Sequence, residues 1–547
     1  MGSPISRVDS RLGDQPRRWK RTLLWGLGGF LVLLLAMGGD PHLGLQQGAD
    51  AAKGPEATTS PTPPSVSSAP TSSLPAPATT VSSLEQPTAS VDVVVYGTQT
   101  SGIAAVREIA QQDPQLRVAV ISAGDFLESP LAQGLSVEDA RNVSAVAGGA
   151  YEEWRNDVVG YYRARGISPF TSSGRFVYDP AVAGQFLWSL LEGSGTSHVL
   201  FYAGQLLAAS DSGGDHYVQV RLANGLVAHI GTRYFIDASV EADLARMLGA
   251  SYRIGRNEAI YDDVSGPTPA LPSRANNFVT APQRLSALLT LKLNSQAVAT
   301  QDVGSASSLS AGSGAPSVPV SPKALRNFAR SWSMVIAKLP NQERELNEAW
   351  SDYPDAGTAY AWIFDPAARL EVTQRAVQRA LGQVQYLQEH GYPQVGVANI
   401  PQYPYVREGP RVVGLTTYSL SQILAGTAHD VVAVGCYTEY DRHDAFRPIQ
   451  IDKTTFVSVP MQALMVKDHP WLLVSTAVST DYRAYSSPVR TELARANMGG
   501  AAGTMIVVAA KLNTEAARVP YGQVSKALET RGYHLFAGPS AAEAGAD

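Results

Sequence analysis

Residues 91–547 predict an α/β fold built round a parallel sheet. Three observations carry that prediction. The stretch 91–124 reads as strand, glycine-bearing turn, helix and strand within about thirty residues. Residues 233–256 and 471–512 each repeat the order of strand and then helix. Between the first two blocks, residues 200–230 read as a strand and a hairpin. Strands that alternate with helices make parallel sheets, because each crossover helix returns the chain to the same end.

The composition excludes several other classes. The chain has 547 residues, 43 Lys+Arg, 48 Asp+Glu and one Cys. A single cysteine excludes a disulfide scaffold and a Cys-rich zinc or iron–sulfur site. A net charge of −5 argues against nucleic acid, whose binders carry a basic face. An apolar fraction of 44% is too high for a disordered chain.

The charge is unevenly spread. Residues 7–21 hold six Arg and Lys against two Asp, a net of +4, which leaves −9 on the remainder. Residues 22–39, TLLWGLGGFLVLLLAMGG, carry no charge. That is close to the ~20 apolar residues of a spanning helix. Basic residues on one flank and acidic ones beyond predict the N-terminus inside and the bulk outside the cytoplasm. A retained transmembrane helix and a cleaved signal peptide are both open, with Arg17-Arg18 loosely resembling a twin-arginine signal. Residues 40–90 are dominated by Ser, Thr, Pro and Ala, so they predict a disordered linker that holds the body clear of a membrane.

Order begins at residue 91. Val91 and Val93 to Val95 form a β-branched run suited to a buried parallel strand. The turn Gly97-Thr98-Gln99-Thr100-Ser101-Gly102 follows, then a helix to Pro114 and a strand over 117–121. This is the layout of a dinucleotide-binding βαβ unit. Gly97 permits the tight turn, and Gly102 lets the helix approach the sheet. The middle glycine of such turns is Gln99 here. The second strand ends in Ser122 rather than the acid that holds a ribose. A dinucleotide site and a nucleotide-free βαβ unit both satisfy this segment.

Residues 186–210 read as a helix and a strand, and Asn224-Gly225 marks a hairpin turn. A strand ends at Asp237-Ala238, before a helix rich in Ala and Leu. Residues 366–389 form a long helix whose stripe is Leu370, Val377, Ala380, Leu381, Val384 and Leu387. Residues 300–322 read as a flexible insertion. A strand at 471–480 precedes a helix carrying Gly499, Gly500 and Gly503.

Five short segments occur in a telling order. They are YGTQTSGI at 96–103, QGLSVED at 133–139, FIDASVEADLA at 235–245, YVREGPRVVG at 405–414, and WLLVS at 471–475 followed by Ser479, Val489-Arg490 and GGAAG at 499–503. Together they resemble the glutathione-reductase-like, two-dinucleotide-fold flavoproteins. More closely, they resemble the family called simply FAD-dependent oxidoreductase. The resemblance covers residues 91 to about 510.

It implies a Rossmann-like FAD-binding domain, parallel sheet plus β-meander, with an inserted α+β substrate domain. The FAD-binding domain would comprise 91–254 and 401–547, and the substrate or accessory domain 255–400. FAD would lie with its pyrophosphate at Gly97, Thr98, Gln99, Thr100, Ser101 and Gly102. Ser122 and Ala123 would face the ribose, Leu206 the adenine, and Asp237 and Ala238 the underside of the pyrophosphate. Gly499, Ala501, Ala502 and Gly503 would bring a helix N-terminus to the isoalloxazine. The chain departs from the family pattern at Glu128-Ser129, where the family has a glycine pair, at Val240 and Ala242, and at Thr476-Ala477.

The implied activity is hydride transfer from an unidentified small organic substrate to flavin, with an unknown electron acceptor. The alternative is a catalytically inactive flavoprotein-fold binding or scaffold protein at the cell envelope. Arg407, beside Glu408 and Arg411, would clamp a carboxylate or sit in an internal salt-bridge network. His443, in Asp441-Arg-His-Asp444, would act as acid or base or lie on a surface loop. Arg490, with Ser479, is a third candidate. No metal site is expected, since the histidines lack ligand spacing. Cys436, inside VVAVGCY, reads as a buried small residue.

Overall fold

In the computed structural model, residues 89–536 are described, apart from 139, 141–142, 195–197, 213, 256–281, 299–338, 348–355, 390, 443–448 and 451–455. The segments 1–21, 22–39 and most of 40–90, the insertion at 300–322 and His443 therefore lie outside the described residues. Among the described residues no helix is long and apolar enough to cross a membrane.

The central sheet has eight strands in the order β1-β6-β5-β4-β3-β2-β7-β13. In chain order these are β1 (Ala89–Ser90), β2 (Val93–Tyr96), β3 (Val118–Ser122), β4 (Val199–Ser212), β5 (Asp215–Leu222), β6 (Val227–Gly231), β7 (Tyr234–Asp237) and, near the end of the chain, β13 (Leu472–Val474). The strands β4, β3, β2, β7 and β13 run parallel to one another. The meander β4-β5-β6 is antiparallel and turns at Asn224-Gly225, where Gly225 has φ +84°. Every residue of β2 is buried, as a strand covered on both faces must be.

Helix α1 (Thr100–Gln112) crosses from β2 to β3. Next come α2 (Pro130–Gln133), α3 (Gly149–Arg163) and α4 (Pro180–Glu192). The Asp179 carboxylate caps α4 by accepting the Ala181 N–H at 2.8 Å. A short α5 (Asp243–Met247) follows β7. Strands β8 (Leu289–Leu293), β9 (Arg344–Leu346) and β10 (Val395–Asn399) form a separate antiparallel sheet in the order β9-β8-β10. Helices α6 (Ala356–Phe364) and α7 (Arg369–Glu389) pack with it round Trp362, Ala376, Ala380, Val384 and Leu387. Leu370 departs from the expected stripe and is 69% exposed. The first turn of α7 borders a cavity instead of the small sheet.

The strands β11 (Val431–Cys436) and β12 (Phe456–Pro460) pair antiparallel. Cys436 is buried in β11, as its apolar run predicts. Helix α8 (Glu492–Leu512) then runs through the main core, and α9 (Tyr521–Thr530) follows. Buried residues occupy α8 from Glu492 to Ala509, so this helix lacks a solvent face over most of its length.

Candidate functional site

The β2–α1 turn needs glycine at two places. Gly97 has φ +96°, and an added Cβ would lie 2.9 Å from the Ser239 nitrogen. A Cβ on Gly102 would lie 2.1 Å from the Gly97 carbonyl oxygen and 3.0 Å from the Ala238 Cβ. Thr98, Gln99, Thr100 and Ser101 lie between them, at most 3% exposed. The turn thus has the backbone of a dinucleotide site, but its polar groups face other parts of the protein.

Glu128 decides where those groups go. Its Oε2 accepts the Thr98 N–H at 3.0 Å, and its Oε1 accepts the Ala123 N–H at 2.8 Å. Thr98 Oγ1 accepts the Glu128 N–H at 3.0 Å and lies 3.0 Å from the Ser122 hydroxyl. Thr100 bonds the Ser129 hydroxyl at 2.7 Å and donates to the Glu492 carboxylate. The Ser101 and Thr476 hydroxyls meet at 2.6 Å, and Thr476 donates to the Ala238 carbonyl at 2.7 Å. The Gln99 side-chain oxygen is buried without a partner among the described residues.

Below the turn, Asp237 accepts the Ser239 N–H and hydroxyl at 2.9 and 2.7 Å and the Ala245 N–H at 2.8 Å. It fastens the loop between β7 and α5. Ala242 in that loop has φ +54°, the left-handed conformation that glycine favours. The glycine geometry implied by the resemblance persists there although the residue is alanine.

The second helix corrects an expectation. Gly499, Ala501, Ala502 and Gly503 do not lie at a helix N-terminus, because α8 begins at Glu492, about two turns earlier. They are contact residues. A Cβ on Gly499 would lie 2.0 Å from the Ser101 carbonyl oxygen, and one on Gly503 would lie 2.5 Å from that of Ala105. Their small size lets α8 press against α1.

Two of the three candidate catalytic residues come together. Arg407 donates to the Arg284 carbonyl at 3.0 Å and to the Ser286 hydroxyl at 2.7 Å, and its guanidinium lies 4.9 Å from the Tyr405 ring centre. Arg490 donates to the Tyr405 hydroxyl at 2.7 Å and to the Ser486 carbonyl at 2.7 Å. Both line a cavity of about 70 Å³ with Glu138, Arg442 and Glu492. His443 lies outside the described residues.

A second cavity, of about 830 Å³, opens beside Ala123 and Leu206. Ala123 and Leu206 are the residues that the resemblance assigns to the ribose and adenine of FAD, whereas the arginines around them offered no sequence signal. Phe126, Trp362, Phe364 and Tyr403 give it aromatic walls, and Arg221, Arg246, Arg369 and Asp243 give it charge. Arg369 grips Asp243 with both terminal nitrogens at 2.5 and 2.8 Å, and Arg246 adds a contact at 2.5 Å. Burial pushes the Asp243 carboxyl up, but the two arginines outweigh it and hold the group below its usual range. Behind Asp243, Glu241 accepts a hydrogen bond from the Tyr403 hydroxyl, and burial raises its pKa.

Three other carboxyls are held far above their usual range. Burial takes Glu128 to about 7, with Glu241 adding to the rise; it takes Asp237 to about 7 and Asp481 to about 6. Between about pH 4 and 7 the unfolded chain has ionised these groups while the folded chain still holds their protons. The folded state binds more protons there, so its stability is expected to fall as the pH rises through that window. Urea midpoints at pH 5 and pH 8 check this, and a higher midpoint at pH 8 would contradict it.

The sequence pattern of the FAD dependent oxidoreductase family matches residues 92–528. The chain belongs to that family. Solved structures similar to this chain include a flavoprotein/dehydrogenase from Cytophaga hutchinsonii, at 15% identity and a TM-score of 0.23, covering 37% of this chain and 46% of that one. The myxobacterial chondrochloren halogenase is similar at 13% identity and a TM-score of 0.24, covering 39% and 45%. The L-proline dehydrogenase from P. horikoshii is similar at 16% identity and a TM-score of 0.18, covering 31% and 24%. The matches take in less than half of each of those chains. No curated protein matches.

FAD is the cofactor that membership of this family implies. Its pyrophosphate needs free N–H groups at the β2–α1 turn. Here the first of them, on Thr98, is already bonded to the Glu128 carboxyl, and Glu492 stands on Thr100. The cavity at the start of α8, about 70 Å³, is well below the roughly 300 Å³ of a ligand pocket. As folded in this structure, these residues do not fit the cofactor's central part.

Proposed function

We propose that this FAD dependent oxidoreductase binds a small organic anion with an aromatic or apolar body in the 830 Å³ cavity. The cavity carries the reading. It falls within the range of about 300–1,000 Å³ typical of ligand sites. Its aromatic walls suit a flat apolar body, and three arginines against one aspartate favour a negative charge. Were FAD to bind, family membership would make the bound molecule a redox substrate, oxidised by hydride transfer to flavin. A second reading, supported by the filled turn, is a binding or scaffold module without redox chemistry. Under either reading, the basic segment ahead of residues 22–39 supports a body held on the extracytoplasmic side of a membrane.

Met247 stands at the cavity wall, 40% exposed. Aromatic carboxylates, benzoate and naphthoate among them, are expected to raise the melting temperature of the full-length protein. Met247→Trp, which sets a bulky ring at the wall and narrows the cavity, is expected to reduce that rise while leaving the unliganded Tm near wild type. An undiminished rise in the variant would place the ligand elsewhere, and no rise in the wild type would end the proposal for this ligand class.

A further inference from the structure

We infer that Glu128 stands in for the cofactor's pyrophosphate, so that the β2–α1 turn is closed by the chain's own carboxyl and the body folds complete without FAD. The inference does not depend on what enters the larger cavity.

The position of the carboxyl is the first support. It bridges Thr98, just past the end of β2, and Ala123, just past the end of β3, with one oxygen on each N–H. Those are the carboxyl ends of two adjacent parallel strands, where α/β sheets receive their ligands. An oxyanion group meets backbone N–H groups there in the way a phosphate would. The carboxyl fills the place whether or not it is ionised.

The surroundings lock it in. The Glu128 N–H returns to the Thr98 hydroxyl, which meets Ser122, and the Ser122 hydroxyl donates to the Phe126 carbonyl at 2.9 Å. Ser129 and Glu492 close over Thr100 in the same manner. Glu128 and Ser129 are 4% and 0% exposed, so solvent does not compete for these bonds. A buried network whose members are all paired is rigid, and breaking it leaves several polar groups unpaired at once. An external pyrophosphate must also compete with a group held in place by the chain, whose effective concentration is far above that of a free ligand.

Glu128 and Ser129 occupy the place of the glycine pair in the family pattern, and that gives the test. The full-length protein is expected to purify without flavin absorbance and to show no rise in Tm with added FAD. The double variant Glu128→Gly, Ser129→Gly is expected to bind FAD saturably, at least tenfold more tightly than wild type, with a rise in Tm. Where the double variant fails to fold by circular dichroism, Glu128→Ala carries the same expectation. The inference is overturned if the wild type carries or takes up stoichiometric FAD. It is equally overturned if the folded variants bind FAD no better than wild type.

Discussion

Replacing Gly499 with valine is expected to remove a large share of the stability of the body. Gly499 sits inside α8 where that helix crosses α1. A Cβ there would lie 2.0 Å from the Ser101 carbonyl oxygen and 2.6 Å from the Ser101 Cα. These are backbone atoms of the first turn of α1, which cannot rotate away as a side chain would. That turn is pinned from behind, since Gly102 leaves no room between α1 and the Gly97 carbonyl. The two helices must therefore separate, and Gly503 against Ala105 would part with them. Overpacking in a core costs about 1–3 kcal/mol where neighbours can adjust. Here they cannot, so the loss should exceed about 3 kcal/mol, a large share of the ~5–15 kcal/mol that holds a typical domain. Gly500→Ala is the control. Its Cβ would meet the far end of the Tyr533 side chain, 1.9 Å from the hydroxyl, which has more freedom to move. Urea unfolding should rank the midpoints as wild type, Gly500→Ala, Gly499→Val. A Gly499→Val midpoint at the wild-type value would show that the helices do not touch there.

Arg369→Met is expected to cost about 3–5 kcal/mol, the range for breaking a buried ion pair from one side. Arg369 donates to both Asp243 oxygens and also to the Trp362 and Ile363 carbonyls, each at 2.9 Å. Methionine keeps the apolar stem and removes every one of these bonds. Asp243 would retain Arg246 and the Tyr96 hydroxyl at 3.3 Å, and Glu241, 4.0 Å from Arg369, would lose that cation. The loss carries a pH signature. Without Arg369 both carboxyls favour the protonated form, so the variant pays its full penalty at pH 8 and less at pH 5. Arg369→Lys should recover part of the loss, because one ammonium cannot match a two-pronged grip. An equal loss at both pH values would mean that packing, not charge, is what Arg369 provides.

The strands and turns were legible because their signals are local. Val93 to Val95 are β-branched and fully buried in β2. Asn224-Gly225 turns the meander, and Gly97 carries the positive φ expected of it. Gly499 and Gly503 were visible as small residues, yet their use was misread. A glycine that admits a cofactor and one that admits a helix look alike along the chain, and only the position of Ser101 and Ala105 separates them. Leu370 was misplaced for a related reason, since helical periodicity marks a face without saying where the covering sheet ends. Glu128 stood out as a departure from a family pattern, but its partners Thr98 and Ala123 could not be read from its neighbours. Arg369 gave no signal of its pairing with Asp243, since the two lie 126 positions apart in the chain and meet only at a cavity.

The amino-acid order by itself determined the class of fold, the βαβ opening, the uneven charge between residues 7–21 and the rest, and membership of an FAD dependent family. Those depend on local propensity, periodicity and short motifs, which act within a few turns of chain. Only the tertiary structure decided what fills the cofactor's place. That outcome rests on hydrogen bonds between groups as far apart as Thr100 and Glu492, and on burial that removes the water which would otherwise satisfy them.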